Sequence, residues 1–91
     1  MLPVRWRMSA LEQLDAVGAY IAQHNPVAAD TLQERIEFSV LPLSEHPYLF
    51  RPGRVPGTRE IVAHPNYIVV YRVLADCVEV VSVVHASREY P

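Results

Sequence analysis

PGTREIVAHPNYIVVYRVLADCVEVVSVVHASREYP, residues 56–91, decides the fold. Three runs rich in Val, Ile and Tyr, at 58–63, 67–74 and 77–85, are separated by the turn signals His64-Pro65-Asn66 and Ala75-Asp76. Connections this short join only antiparallel neighbours, because a parallel pair needs a crossover of about a dozen residues. The stretch therefore reads as a three-stranded meander. Cationic and aromatic side chains collect at its ends: Arg59 on the first run, Arg72 on the second, and His85, Arg88 and Tyr90 where the third runs out. A site is expected there.

Working back to the N-terminus, Val4, Trp6 and Met8 alternate with Arg5 and Arg7, the period-two pattern of a fourth strand with one buried face. Ser9, with Glu12 three positions on, is a capping-box signature that starts a helix. Leu11, Leu14, Gly18, Ile21 and Ala22 recur at helical spacing, which turns that stripe to the sheet and ends the helix near His24. Asn25-Pro26 opens a second helix, since Asn is a strong N-cap and Pro is favoured at the first helical position. Its inward side is Ala29, Leu32, Ile36, Val40 and Leu43, and Pro42 should kink or stop its last turn. Residues 45–57 carry Pro47, Pro52, Pro56, Gly53 and Gly57, a connecting loop that presents Arg51 and Arg54 beside Tyr48 and Phe50. That loop is either a binding surface or a solvated connector with an apolar side chain tucked beneath it. The order is β-α-α-β-β-β, an α+β fold in which a helical hairpin packs on one face of a four-stranded, mainly antiparallel sheet.

Composition bounds the function. At 91 residues the chain is expected to be one small domain, burying about 60 % of the surface its unfolded form exposes. Half its residues are hydrophobic and a fifth charged, which argues against disorder. No apolar run approaches a membrane span, and Arg5 and Arg7 interrupt the only apolar beginning, so a cytoplasmic protein is expected. The lone Cys77 reads as a small buried hydrophobe. A net charge of −2 gives no field that would draw the molecule to a polyanion, so direct sequence-specific nucleic-acid binding is not expected. All 8 basic residues are arginines, and Arg51, Arg54, Arg59, Arg72 and Arg88 fall in the C-terminal half, which keeps local basic patches open. His24, His46, His64 and His85 are too scattered for a metal site, and no phosphate-binding glycine loop is present; no metal and no cofactor are expected.

The ordered series LEQLDAVGAYIA, NPVAAD, LSEHP, PGTREI, YIVVYRV and VEVVSVVHASREYP, with its GxRE, YxxxYRV and VxHxxR segments, resembles the ParE/RelE superfamily of bacterial toxins over essentially the whole chain. The resemblance implies the toxin half of a type II toxin–antitoxin pair, of the plasmid-stabilisation type, neutralised by a cognate antitoxin. It also implies one of two targets: DNA gyrase, inhibited by binding in ParE-like members, or ribosome-bound mRNA, cut by RelE-like endoribonucleases. Cutting RNA needs groups that take and give a proton and fixed positive charge at the developing oxyanion. The arginine that RNA-cutting relatives carry before the YIVVYRV strand falls here on Ala63, their catalytic lysines have no counterpart, and their catalytic tyrosine lies further along the tail than Tyr90. The ParE-like reading is the better one.

Were the chain a nuclease, His85, Arg88 and Tyr90 would carry it, with the imidazole as base and the arginine as electrophile. Otherwise the VxHxxR segment anchors the strand end through hydrogen bonds. For target binding, the residues expected to contribute are Arg51, Arg54, Arg59, Arg72, His85 and Arg88. Tyr67 and Tyr71 read as packing rather than base-stacking platforms. Ile68, Val70 and Leu74 face one side of the central strand and Tyr67, Val69 and Val73 the other, more apolar surface than one helical hairpin should cover. An antitoxin segment is expected to cover the rest.

Overall fold

A computed structural model describes residues 1–87. Strand β1, Val4–Trp6, leads into helix α1, Met8–Ala22, and then helix α2, Pro26–Ser39. Among the described residues, a 3-10 turn, Leu41–Ser44, and strands β2 (Arg51–Pro52), β3 (Arg59–His64), β4 (Tyr67–Val73) and β5 (Val78–His85) follow. The strands form one sheet in the order β1-β5-β4-β3-β2. The expected meander is its antiparallel body. β1 lies outside β5 and runs parallel to it, Val4 beside Val78 and Trp6 beside Val80.

Five strands replace the expected four because the loop after α2 returns to the sheet at Arg51 and Pro52, opposite Glu60 and Arg59. An edge strand tolerates this proline, whose missing N–H would break a ladder further in. Helix α1 differs at its start. It begins at Met8 with Arg7 as an extended N-cap, and no side chain caps it. The Arg7 N–H is bonded to Val80 O, and its carbonyl accepts from Ala10 and Leu11. The sheet therefore holds the residue where the helix turns, and Ser9 falls within the first turn instead of ahead of it. Met8, expected on the buried face of the strand, is 68 % exposed for the same reason.

The helical hairpin covers one face of the sheet. Asn25 caps α2 as expected, its Oδ1 accepting from Ala28 N at 3.1 Å. Ala29, Leu32, Ile36, Val40 and Leu43 are all buried, and Pro42 begins the 3-10 turn after α2 stops. On α1 the buried line is Ala10, Leu14 and Gly18, with Leu11 half turned out. Small residues dominate that line because α1 lies close against β5 and α2: a Cβ on Gly18 would meet the Gln33 amide, which donates from α2 to Leu14 O. Ile61, Val69, Tyr71, Val78, Val80 and Val83 form the sheet side of the core. β5 carries a bulge opposite Val70 and Tyr71, which keeps Val80 and Val83 on the same face despite their odd spacing.

Candidate functional site

Strand alternation places charge on the face of the sheet away from the helices. Val4 and Trp6 pack against the core, so Arg5 takes the other face, where the parallel register sets it beside Glu79. Arg72 on β4 is also opposite Glu79. Arg72 Nε donates to Glu79 Oε1 at 2.7 Å, and Arg7 Nη2 to the same oxygen at 2.8 Å. Two guanidinium groups thus share one carboxylate oxygen. Arg72, and then Arg7, hold the Glu79 carboxyl below the ordinary carboxylate range. Beside them opens a cleft of about 380 Å³ lined by Arg7, Arg72, Val55, Gly57, Leu74 and Val81 among others. Gly57 has φ +85°, the left-handed backbone that turns this loop.

Further along the same face, Arg51 Nε donates to Glu60 Oε1 at 3.0 Å. Glu60 is 5 % exposed, and its Oε2 has no hydrogen-bond partner among the described residues. Arg54 lies exposed in the turn after β2. Arg59 is set apart, opposite Tyr71 and so on the helix side of the sheet. It donates to Phe50 O at 2.8 Å and Tyr48 O at 3.3 Å, with its guanidinium 5.0 Å from the Tyr48 ring centroid. Tyr71 Oη donates to Pro47 O at 2.8 Å. These two side chains strap the 45–57 loop to the sheet, and Phe50 packs against the core. The loop is therefore a pinned connector with an apolar residue beneath it. Burial, above all, raises the Tyr71 phenol above its ordinary pKa.

His85 ends β5 against the edge of the Tyr67 ring, with centroids 5.2 Å apart. Its Nδ1 accepts from Ser87 N at 3.2 Å and lies 2.7 Å from Ser87 Oγ. Acceptance from a backbone N–H leaves the ring proton on Nε2. His64 repeats the arrangement, its Nδ1 accepting from Asn66 N at 3.0 Å. His85 and Arg72 lie at opposite ends of the sheet, since Tyr67, the register partner of His85, and Arg72, both on β4, are roughly 17 Å apart at about 3.4 Å per residue. The structure thus divides the expected cluster: Arg51 and Arg72 share the face away from the helices, Arg59 serves the loop, and His85 stands at the far end. Arg88 and Tyr90 lie outside the described residues.

The sequence reading missed Arg5, Arg7 and Glu79. The signal was present in half: the alternation that buries Val4 and Trp6 also puts their arginine neighbours on one side. Their meeting with Glu79 required the parallel β1–β5 pairing, which leaves no local trace. Among the described residues no group of three or more His, Cys, Asp or Glu is placed to hold a metal ion, and no helix is long and apolar enough to cross a membrane.

A small α+β fold, a helical hairpin on one face of a sheet whose other face carries arginines, is the class this architecture defines. The model of the ParE toxin of the type II toxin–antitoxin system parDE matches residues 4–90, and the chain belongs to that family. It is 44 % identical over 89 residues to the Sinorhizobium fredii protein Y4kP, covering 97 % of this chain and 92 % of that one. It is 34 % identical over 90 residues to toxin RelE2 of Caulobacter vibrioides, covering 97 % and 99 %. In structure it matches a chain of the chromosomal ParDE system from P. aeruginosa with TM-score 0.82 at 24 % identity, covering 93 % of this chain and 96 % of that one. The match to RelBE2 of Mycobacterium tuberculosis has TM-score 0.58 at 22 % identity, covering 92 % and 96 %. The chain is a type II toxin of the ParE/RelE superfamily.

Proposed function

We propose that this toxin acts in the ParE manner: it inhibits DNA gyrase by occupying a surface of it, in the cytoplasm, and a cognate antitoxin neutralises it. One observation carries the preference for binding over RNA cleavage. His85 commits Nδ1 to the Ser87 turn, so its remaining ring nitrogen carries a proton and offers a donor where a general base needs a lone pair. The absence of lysine and the net charge of −2 support the same reading, because docking into ribosomal RNA favours a basic protein. Family membership, and structural neighbours that come from toxin–antitoxin systems, support the antitoxin as partner.

Within this reading Arg51, Arg54, Arg72, His85 and Arg88 contact the target, and Arg59 contributes by fixing the loop that presents Arg51. Occupancy has no single catalyst. Alanine at His85 or Arg88 should weaken inhibition by about 1–3 kcal/mol, and high concentration should restore it. The test is the purified toxin on two substrates. Supercoiling by gyrase should stop, or cleaved DNA accumulate, while ribosome-bound mRNA stays intact. The relative named RelE2 gives the alternative its content: codon-specific mRNA cuts that vanish with Arg88→Ala would mean a ribosome-dependent endonuclease.

A further inference from the structure

We propose that this chain pairs with a second copy of itself in a two-fold dimer, edge to edge at Val62, through the groove between α2 and β3. The pairing is independent of the choice between gyrase and ribosome, since it uses the edge of the sheet and neither target.

β2 covers β3 only as far as Glu60. The Gly53 N–H donates to Thr58 O, so Thr58, Glu60 and Val62, at alternate positions, turn their backbone groups toward the β2 side. Val62 lies beyond the last pair, and among the described residues no strand stands opposite it there. Its side chain is 53 % exposed. A bulge follows between Val62 and His64, which confines the open edge to about this one residue. An N–H and a C=O on the same residue satisfy their counterparts when two copies meet antiparallel about a two-fold axis. The two Val62 residues then exchange both bonds, as directly opposed residues of an antiparallel sheet do.

The groove beside this edge has a volume of about 560 Å³ and is lined by Thr31, Glu34, Arg35 and Phe38 of α2, by Phe50 and by residues 61–63 of β3, among others. Phe38 is 63 % exposed, so an apolar ring stands uncovered at one end. Because α2 packs on β3, joining the edges sets α2 beside its copy in antiparallel order, at the roughly 8–10 Å spacing of packed helices. An axis at Val62 passes the middle of the lining stretch of α2. Glu34 of each copy then meets Arg35 of the other, and Phe38 covers the Thr31 end. Both charged residues are exposed and form no ion pair among the described residues. Their opposite signs select the occupant. A segment of one charge sign would set like charges together at one of the two, whereas a second copy supplies the opposite charge to both.

Equilibrium sedimentation of the full chain over a range of concentrations tests this. The mass should rise from that of one chain toward that of two, and hydrogen exchange at the Val62 backbone N–H should slow in parallel. Glu34→Arg and Arg35→Glu should each weaken association about tenfold, because each sets like charges across the axis on both sides. The double variant, which restores both pairs with the signs exchanged, should return to within about threefold of the parent. Glu12→Arg makes the same charge change as Glu34→Arg on exposed α1 and should alter association less than about twofold. A one-chain mass at every concentration overturns the proposal and leaves the groove to a different chain. So does a double variant no stronger than the single ones, or a loss at Glu12 equal to that at Glu34. Association with unchanged exchange at Val62 would put the interface elsewhere and refute the assignment as well.

Discussion

Gln13 and Val83 are joined across the helix–sheet boundary: the backbone N–H of Val83 donates to Gln13 Oε1 at 2.8 Å. β1 ends beside Val80, so β5 continues past it with one side lacking a strand neighbour. Helix α1 runs along that side, and a single amide satisfies the N–H there. Gln13→Leu would leave a part-buried donor unmatched, at a cost of about 1–3 kcal/mol. Urea unfolding should show the loss, and amide exchange at Val83 should rise more than at Val69, whose bonds lie within the sheet.

The 45–57 strap makes a second expectation. Tyr71→Phe removes the donor to Pro47 O, and Arg59→Gln the clamp on Phe50 O and Tyr48 O. Each should destabilise the fold by about 1–2 kcal/mol, with increased proteolysis near Tyr48 as the local signature. The Tyr71 phenol is raised above its ordinary value of 10.0 chiefly by desolvation. Its contribution to stability is therefore complete below pH 10 and declines as pH rises toward the folded value. Tyr71→Phe should flatten the alkaline limb of a stability–pH curve.

Acid should act on Glu79. Its folded pKa lies below the ordinary 4.5 because of Arg72 first and Arg7 second. The stabilisation it provides is present above pH 4.5 and lost as pH falls through the folded value. Both arginines are well exposed, so the pairs should contribute at most about 1 kcal/mol each. Glu79→Gln should abolish that part of the acid dependence of the urea midpoint, and Arg72→Gln should reduce it more than Arg7→Gln.

Gly18 offers a compensated change. Alanine there gains roughly 1 kcal/mol of helix propensity, yet its Cβ would displace the Gln33 amide from Leu14 O. Gly18→Ala alone should leave the melting temperature nearly unchanged. In a Gln33→Ala background the same substitution should raise it by a few degrees.

Local signals in the sequence reached the helices and the meander because each had a short-range cause. Asn25-Pro26 prescribes a cap, and the Val-rich runs between His64-Pro65-Asn66 and Ala75-Asp76 allow only antiparallel neighbours. Ser9 misled for the converse reason: its capping motif is sound, but Arg7 is already tied to Val80 by the sheet, and that bond sets where α1 starts. The site was legible as a list of arginines and not as a place. Arg59 and Arg72 look alike in sequence, but the pleat sends one under the loop and the other to Glu79. Arg7 finds its partner only on a strand more than seventy positions away.

The parallel pairing of β1 with β5 also fixes an order of events during synthesis. Residues 4–6 leave the ribosome more than seventy residues ahead of their neighbours at 78–80. Until those residues emerge, Trp6 and the inner line of α1 face a sheet without its central partner, and closing so long a loop is slow. The toxin therefore completes its sheet only once β5 has been translated, and a nascent chain halted before β5 should remain protease-sensitive throughout.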